Sequence, residues 1–352
     1  MRALVLAGGE GSRLRPITHT SAKQLIPIAG TPILFHALQA IAAAGIREVG
    51  IVVGSTADEV RAAVGDGGRW DLEVTYIEQE APLGLAHAVM SAGDFVRGEP
   101  FLMYLGDNVL LEGVTRFVEG FERARPDAQI LLTRVAEPEH FGVAVLEGDR
   151  VVRLVEKPRQ FVSDIALVGV YLFDDSILEA CATLSPSWRG EYEITEAIQW
   201  LIDTGKTVRA EMVGGYWKDT GRPEDLLEAN RMMLATLEPS ILGEVDDATT
   251  IEGIAVVADG ARVTGSVLRG PVVLGPGTTI TSSTIGPNVS IEEDCVISGS
   301  TLEDSIVMER CRIEGALGLT GSILGRDVVV RRSGAPGERR LTVGDQSRVD
   351  LD

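Results

Sequence analysis

A glycine-rich segment followed by two basic residues is the part of this sequence best suited to bind an anion. It comes directly after an apolar run, residues 3–6, which is typical of a buried parallel strand. Glycines let backbone N–H groups approach an anion closely, and the side chains of Arg13 and Lys23 can neutralise its charge. This combination predicts a site for the phosphates of a nucleotide. The glycines concerned are Gly8, Gly9 and Gly11.

Two better-known phosphate-binding motifs do not fit this segment. The Walker motif needs Gly-Lys followed by Ser or Thr, which the segment lacks. The dinucleotide motif needs a glycine three residues after Gly11, where this chain has Leu14. The alternative is a tight turn between a strand and a helix, with a surface Arg and Lys. The offsets of Arg13, Lys23 and Pro27 favour phosphate binding over that alternative.

Two aspartates are candidates for holding a divalent cation. Asp107 follows the apolar segment 101–105, so we expect its carboxylate at the edge of the sheet where ligands bind. Asp219 is a second isolated carboxylate, in a Trp-Lys-Asp segment. Mg²⁺ takes oxygen ligands, commonly one or two carboxylates together with phosphate oxygens. From the residues alone, a helix cap or an Asx turn explains Asp107 equally well.

A Gln and a Gly are candidates for reading the base of the nucleotide. The amide of Gln79 can donate to and accept from a pyrimidine edge, and Gly84 lets a backbone N–H come close. Thymine and uracil differ by one methyl group, which is worth about 1–3 kcal/mol of discrimination in a pocket. The sequence therefore predicts a pyrimidine nucleotide and leaves dTTP and UTP open.

Taken together, these segments resemble the sugar-phosphate nucleotidyltransferases. The match rests on Gly-Gly-Glu-Gly-Ser-Arg-Leu at residues 8–14 and Ser-Ala-Lys-Gln-Leu-Ile-Pro-Ile at residues 21–28. It covers about residues 1–240 and extends more weakly through the C-terminal repeats described below. The resemblance implies a Mg²⁺-dependent enzyme of activated-sugar biosynthesis that converts dTTP and glucose 1-phosphate to dTDP-glucose and pyrophosphate. UTP, or another hexose 1-phosphate, remains an alternative.

The resemblance also implies roles for individual residues. Asp107 and Asp219 would hold the Mg²⁺, Glu156 would bind sugar hydroxyls, and Lys157 would hold the sugar 1-phosphate. The implied catalytic residues are Arg13, Lys23, Asp107, Lys157 and Asp219. The implied nucleotide-binding residues are Leu6, Gly8, Gly9, Gly11, Ser12, Arg13, Gln79, Pro82, Gly84 and Asp107. The implied sugar-phosphate-binding residues are Gly142, Glu156, Lys157, Leu167, Tyr171, Glu191 and Trp217.

The chain departs from the family pattern at three places. Ser12 replaces a Thr and keeps its hydroxyl, Phe141 replaces a Tyr and loses it, and Glu196 replaces an Asp. Glu191 is assigned to the sugar pocket by its place in an Arg-Gly-Glu segment. The alternative is that residues 189–196 only cap the helix that follows.

Two other classes of protein share parts of this pattern. Hexapeptide β-helices often belong to acyltransferases, which generally use a histidine base in the helix, but no His follows His140. A non-catalytic sugar-nucleotide regulator is the second alternative, since fold does not determine function. All five implied catalytic residues are present, which favours an enzyme. The four histidines, read as structural or surface groups, are His19, His36, His87 and His140.

Alternating strand-like and helix-like segments up to about residue 240 must position these side chains. They predict a Rossmann-like α/β fold, with a mostly parallel sheet, helices on both faces and ligands at the carboxyl ends of the strands. A helix is predicted over residues 32–44. Strands are predicted at residues 3–6, 49–53, 73–77, 101–105, 129–135 and 167–173.

Beyond about residue 245, aliphatic residues recur six apart, which predicts a hexapeptide parallel β-helix. The family resemblance implies that this helix is left-handed. Residues 237–250 resemble a linker, so we expect a catalytic domain at residues 1–240 and a β-helix domain at residues 241–352. The repeat positions are Val257/Val263, Val267/Val273, Leu274/Ile280, Ile285/Ile291/Ile297, Val307/Ile313, Ile323/Val329 and Val343/Val349.

Composition limits the cell compartment and the partners. The formal charge of −20 argues against nucleic acid and anionic lipid as partners. The sequence contains no apolar run long enough to span a bilayer and starts without the pattern of a secretory signal. Its three cysteines lack metal-site spacing and suggest a reducing cytoplasm. We expect a cytoplasmic homo-oligomer, because the flanks of such repeats commonly pack together.

Overall fold

The structure, a computed structural model, describes residues 1–331 and 337–351. The described chain divides into two compact units. The first comprises residues 1–10 and 34–219, and the second comprises residues 11–33 and the chain from residue 220 onward.

The first 236 residues contain short strands and helices in alternation. The strands are β1 (Arg2–Leu6), β2 (Pro27–Ile28), β3 (Thr31–Pro32), β4 (Glu48–Val53), β5 (Glu73–Glu78), β6 (Phe101–Leu105), β7 (Asn108–Leu110), β8 (Ala128–Arg134), β9 (Gly142–Glu147), β10 (Arg150–Glu156), β11 (Ile165–Phe173), β12 (Val208–Met212) and β13 (Trp217–Asp219). The helices are α1 (Ile33–Ala43), α2 (Ala57–Val64), α3 (Leu85–Ser91), α4 (Gly93–Val96), α5 (Thr115–Ala124), α6 (Ser176–Thr183), α7 (Ile194–Asp203) and α8 (Pro223–Leu234).

A mixed sheet forms the centre of the first unit. Its main order is β10-β9-β11-β6-β1-β4-β5, and β8 joins β11 to β12. β1 pairs in parallel with β4 and β6, whereas β11 pairs antiparallel with β6. Ala3, Leu4 and Val5 are fully buried, so both faces of β1 are covered. The α/β fold is therefore confirmed, with the parallel pairing concentrated in the central strands; the predicted strands and the predicted helix match within two residues.

The C-terminal part of the second unit is a parallel β-helix, as predicted. Its strands form three parallel sheets, which are the three sides of the coil. The strands are β14 (Ser240–Ile241), β15 (Glu244–Val245), β16 (Thr250–Glu252), β17 (Ala255–Val257), β18 (Arg262–Thr264), β19 (Val267–Arg269), β20 (Val272–Leu274), β21 (Thr279–Thr281), β22 (Thr284–Ile285), β23 (Val289–Ile291), β24 (Val296–Ser298), β25 (Thr301–Glu303), β26 (Ser305–Val307), β27 (Arg312–Glu314), β28 (Leu319–Thr320), β29 (Ile323–Leu324), β30 (Val329–Arg331), β31 (Thr342–Val343) and β32 (Arg348–Asp350).

The aliphatic core of the β-helix shows why the six-residue period slips in the sequence. Equivalent positions of successive coils are typically 17 residues apart. Within such a coil, two of the three steps between inward residues are therefore six residues long and one is five residues long. Four predicted inward residues are wrong by one position, namely Val267, Val273, Ile323 and Val329, because the residues in the aliphatic core are Leu268, Leu274, Leu324 and Val330. The inward residues are Val257, Val263, Leu268, Leu274, Ile280, Ile285, Ile291, Ile297, Leu302, Val307, Ile313, Leu319, Leu324 and Val330.

Residues 237–250 are not the linker that the sequence suggested. β14 and β15 lie in this segment and pair in parallel with β17 and β18. The backbone N–H and C=O groups of these two strands therefore already take part in the hydrogen bonding between coils, so the segment belongs to the first coil of the β-helix.

Candidate active site

A two-stranded ribbon brings the two candidate metal-binding aspartates to neighbouring positions in the first unit. β6 ends at Leu105, and Asp107 lies in the turn before β7. β7 pairs antiparallel with β13 in a register that places Asp219 opposite Asn108. Since Asp107 directly precedes Asn108, the two carboxylates come from adjacent positions of the ribbon. This is the juxtaposition that the metal-site prediction requires.

Asn108 orients one of these carboxylates and was missed by the sequence analysis. Its Nδ2 donates to Oδ1 of Asp107 at 3.0 Å. Its Oδ1 accepts from Nε1 of Trp217 at 2.7 Å and from the backbone N of Gly169 at 3.2 Å. A Cβ at Gly169 would collide with the Asn108 amide, so the glycine makes room for it. The sequence shows only that Asn108 is adjacent to Asp107. The residues that fix the Asn108 amide, Gly169 and Trp217, lie far away in the sequence.

The predicted sugar side of the site is a cluster of carboxylates around one arginine. Arg189 lies 3.5 Å from Glu156, 2.6 Å from Glu191 and 3.2 Å from Glu193. Thr195 donates through Oγ1 to Glu156 Oε2 at 3.2 Å. Burial first, and the charge of Glu193 second, raise the pKa of Glu156 against the lowering effects of its cationic neighbours and of the Thr195 hydrogen bond. The sequence analysis gave Arg189 and Glu193 no role.

Backbone constraints at the same end account for Gly142 and Lys157. Gly142 lies opposite Glu156 in the β9–β10 pairing. A Cβ there would come within 2.6 Å of Thr195 Cγ2 and 2.9 Å of Glu156 Oε2, so only glycine fits beside the carboxylate. Lys157 has a φ of 39° and its Nζ lies 4.0 Å from Glu156 Oε1. The left-handed backbone turns the chain directly after β10.

Three other residues predicted on the sugar side have different surroundings. The ring of Trp217 lies 5.6 Å from that of Phe141 and so links the ribbon to the Gly142 segment. Leu167 and Tyr171 are only 5% and 4% exposed and belong to the core of the unit. Burial first, and the charge of Glu156 second, raise the pKa of the Tyr171 phenol.

Gln79, one of the two residues predicted to read the base, lines a cleft of about 450 Å³ in the first unit. Gln79 donates through Nε2 to the Gly84 carbonyl at 3.2 Å, and the same atom lies 3.0 Å from Nδ1 of His87. Gly84 has a φ of +102°, and a Cβ there would lie 2.6 Å from the Tyr192 carbonyl. Close backbone packing against Tyr192 therefore already requires glycine at this position, a reason that the sequence did not reveal. Gly8 and Pro82 also line the cleft.

Both predicted phosphate-binding cations lie in the second unit. Gly11 has a φ of 63° and precedes the turn that carries Ser12 and Arg13. A Cβ on Gly11 would lie 2.9 Å from Cβ of Lys23, so the glycine permits close packing against the stem of that lysine. Lys23 is 7% exposed, whereas Arg13 is exposed. Leu6 is 8% exposed at the end of β1, and Gly9 is exposed just after it.

Within residues 1–331 and 337–351, no group of three or more His, Cys, Asp or Glu side chains is arranged to hold a metal ion. Over the same residues, no helix has the length and apolar character needed to cross a membrane.

Known proteins are similar to this chain over its N-terminal domain or over its whole length. A family model described as nucleotidyl transferase matches residues 2–236. A glucose-1-phosphate thymidylyltransferase from Streptomyces griseus is 53% identical over 100% of this chain and 99% of its own length. A low-salt glycan biosynthesis nucleotidyltransferase from Haloferax volcanii is 42% identical over the full length of both chains.

Two solved structures each match about two thirds of this chain. A glucose-1-phosphate thymidylyltransferase from Bacillus anthracis, in complex with a sucrose, has a TM-score of 0.64 at 32% identity, covering 68% of this chain and 98% of its own. A UDP-glucose pyrophosphorylase complexed with UDP-glucose has a TM-score of 0.60 at 23% identity, covering 67% of this chain and 99% of its own. The second likeness concerns the fold alone.

Proposed function

The chain belongs to the nucleotidyl transferase family, and we propose on that premise that it transfers a thymidylyl group from dTTP to glucose 1-phosphate. The products are dTDP-glucose and pyrophosphate. The observation that carries the proposal is the β7–β13 ribbon, whose register places Asp219 beside the Asp107 segment. The 53% identity to a thymidylyltransferase over the whole chain supports dTTP and glucose 1-phosphate as the substrates.

The proposed reaction is an in-line displacement at phosphorus. A phosphate oxygen of glucose 1-phosphate forms a bond to the α-phosphorus of dTTP, the bond from that phosphorus to the bridging oxygen breaks, and pyrophosphate leaves. The attacking phosphate is already anionic, so no general base is needed. The protein contributes alignment and charge neutralisation, as in phosphoryl transfer generally.

The cationic side chains have distinct proposed tasks. Lys157 binds the 1-phosphate and aims its attacking oxygen. Arg13 presents a rigid fork of N–H donors that suits non-bridging oxygens on the α- and leaving phosphates. Lys23 holds the triphosphate as a point charge. Glu156 accepts hydrogen bonds from sugar hydroxyls, with Gly142 leaving space beside its carboxylate.

The donor set on the ribbon fits Mg²⁺. Asp107 and Asp219 supply two carboxylates, and the Asn108 amide orients the first. Mg²⁺ commonly takes one or two protein carboxylates and completes its shell with phosphate oxygens and water. When bound, such an ion neutralises and orients the phosphates of both substrates.

Domain roles, compartment and assembly are part of the same proposal. We assign the catalytic domain to residues 1–240, which the matched family model supports, and a second domain to the β-helix at residues 241–352. Three buried free cysteines suit the cytoplasm. A homo-oligomer remains a prediction, which sedimentation of the purified chain would test.

Replacing Asp219 tests the metal site. Asp219→Asn should lower kcat at least about 100-fold, because weakening the metal costs several kcal/mol of transition-state stabilisation. Its dissociation constant for dTTP should change far less. Pyrophosphate release at limiting Mg²⁺ measures the first effect and dTTP titration measures the second. The matched control is Asp71→Asn, an exposed carboxylate paired with Arg47.

The same assay separates the alternatives. Wild-type protein is incubated with each of four nucleoside triphosphates against several sugar 1-phosphates. Faster turnover of UTP, or of another hexose 1-phosphate, would replace the proposed substrates. If nucleotides bind but no pair releases pyrophosphate, the non-catalytic regulator is favoured instead. Normal turnover by Asp219→Asn at limiting Mg²⁺ would overturn the metal assignment.

A further inference from the structure

The segment that carries Lys23 is bonded directly to the last coils of the β-helix. Thr20 donates through Oγ1 to Asp345 Oδ2 at 2.7 Å. Arg326 donates through Nη1 to the Ser21 hydroxyl at 2.9 Å. All of these residues belong to the second compact unit. Two side chains of the β-helix therefore hold Thr20 and Ser21, which lie three and two residues before Lys23.

These two β-helix side chains are themselves fixed. The backbone N of Arg326 donates to Asp345 Oδ1 at 2.8 Å, so one carboxylate joins two coils and the segment. Arg326 Nε also lies 2.6 Å from Oε1 of Glu309, one coil away. A Cβ on Gly344 would lie 2.8 Å from the Pro16 carbonyl, which shows how closely the backbones approach. The contact is thus built from several coils and a close fit of main chains.

A second anchor holds the other end of the same segment. The backbone N of Ala29 donates to Oδ1 of Asn230 at 2.8 Å, and that oxygen also accepts from the Ser290 hydroxyl at 3.0 Å. Asn230 is fully buried. Ala29 also packs in an apolar cluster with Leu234 and Val273. Residues 16–30 are therefore tied to α8 and the β-helix at both ends.

Lys23 lies between these anchors and is buried. It is 7% exposed, and its neighbour Gln24 is 2% exposed. A charged group contributes to binding only when its position is maintained, because reorganising it costs free energy at each binding event. The supports of Lys23 come from residues more than 300 positions away in the chain.

We propose that the β-helix positions residues 16–30, the segment that carries Lys23, with Asp345 and Arg326 as positioning residues for that lysine. This inference rests on the proposed function of Lys23 in binding dTTP. It gives the β-helix a direct role in nucleotide affinity, exerted through residues that do not contact the substrate.

The test compares two substitutions at turns of the β-helix. Asp345→Ala removes the carboxylate that holds Thr20 and Arg326. Asp327→Ala is the matched control, because its carboxylate bonds Arg310 inside the β-helix, at 2.9 Å. Steady-state pyrophosphate release gives the KM for dTTP, the KM for glucose 1-phosphate and kcat. Amide hydrogen exchange of the full chain reports the mobility of residues 16–25.

For Asp345→Ala we expect the KM for dTTP to rise about 5- to 20-fold, since a lost charge-assisted hydrogen bond loosens the segment. The KM for glucose 1-phosphate should change less than about twofold, and amides in residues 16–25 should exchange faster. Asp327→Ala should alter neither KM nor that exchange. Thr20→Val, which removes one bond from the opposite side, should give a smaller rise in the same KM.

Distinct results would contradict the inference and the proposed function. If Asp345→Ala keeps a wild-type KM for dTTP and wild-type exchange, the positioning role is wrong. An equal change in both KM values would indicate a general loss of structure and would also overturn it. If the wild-type protein releases no pyrophosphate, the proposed function fails; unchanged exchange in Asp345→Ala would then separately refute the coupling.

Discussion

Two regions of the molecule bury polar groups in opposite ways. One is the carboxylate cluster of the first unit, formed by Glu156, Glu191 and Glu193 around Arg189. The other is a serine ladder in the β-helix, formed by Ser266, Ser283 and Ser300. In the ladder, each buried hydroxyl donates and accepts one hydrogen bond. Ser283 donates to the Thr281 carbonyl at 2.8 Å and accepts from the Ser300 amide at 3.1 Å. The same arrangement recurs at Ser266 and Ser300. A neutral, reciprocated group of this kind stabilises the fold without carrying charge.

The carboxylate cluster keeps charge where burial disfavours it. Glu156, Glu191 and Glu193 share a single guanidinium, that of Arg189. The pKa of Glu156 is raised despite that cation. A region selected only for stability would replace such groups, since a buried ion pair often stabilises less than apolar packing. Unfavourable electrostatics are typical of ligand-binding regions and satisfied polar ladders are typical of a scaffold, which supports our proposal that the cluster binds the sugar.

Removing the shared cation should produce the larger change in stability. Arg189→Leu leaves the carboxylates without their guanidinium, and we expect about 2–4 kcal/mol less free energy of unfolding at pH 7. This is below the value for a fully buried pair, because Arg189 keeps 20% of its side chain exposed. Loss of the cation removes one of the influences that lower the pKa of Glu156, so this pKa rises further in the folded variant. The difference in unfolding free energy between wild type and variant should therefore shrink as pH falls, because protonation of Glu156 then stabilises the folded variant.

Urea unfolding at pH 7 and pH 5 measures this effect. Arg134→Leu is the control, because Arg134 forms an exposed ion pair with Asp164 and should cost less than about 1 kcal/mol at either pH. If Arg189→Leu loses the same amount of unfolding free energy at both pH values, the electrostatic explanation of the cluster is wrong.

Breaking the ladder should cost less and should not depend on pH. Ser283→Ala leaves the Ser300 amide and the Thr281 carbonyl without their buried partner, at a cost of about 1–3 kcal/mol. No titrating group is involved, so the loss should be equal at pH 5 and pH 7. The control is Ser298→Ala, since Ser298 contributes its carbonyl to the ladder rather than its hydroxyl. Thermal or urea unfolding gives both values, and a pH-dependent loss would remove the contrast between the two regions.

The β-helix could largely be predicted from sequence because its determinants are local and repeated. The spacing of Leu274, Ile280 and Ile297 predicts inward positions that the structure confirms. The errors arose where two aliphatic residues stand side by side, as at Val267 and Leu268, since a hydrophobic pattern cannot say which one faces inward.

The candidate site could be predicted only in outline. Asp107 comes shortly after the predicted strand at residues 101–105, so its place at the edge of the sheet was open to inference, whereas Asp219 was assigned through the family resemblance. Asn108, Gly169 and Arg189 were missed because their importance comes from contacts with distant segments. The Asn108 amide is fixed by Trp217, 109 residues away, and no local pattern encodes that pairing.

The smallest expected effect comes from a substitution that removes the charge of Glu156 while keeping the shape of its side chain. Glu156→Gln keeps the size of the side chain and removes its titration. Because the pKa of Glu156 is raised in the folded protein, the wild type should gain stability relative to the variant as pH falls through that raised value. The ionised carboxylate is the better acceptor for sugar hydroxyls, so the variant should show about a 3- to 10-fold higher KM for glucose 1-phosphate at pH 7.5.

In the wild type the same KM should rise as pH is lowered, and in Glu156→Gln it should stay nearly constant. The KM for dTTP serves as the internal control, because Glu156 is assigned to the sugar alone. Ser283→Ala provides the matched variant, since it perturbs a buried polar group without changing charge, and it should leave both KM values and their pH profiles as in the wild type. If Glu156→Gln retains the wild-type pH profile for glucose 1-phosphate, the titrating group lies elsewhere, and the cluster would be a structural feature like the ladder.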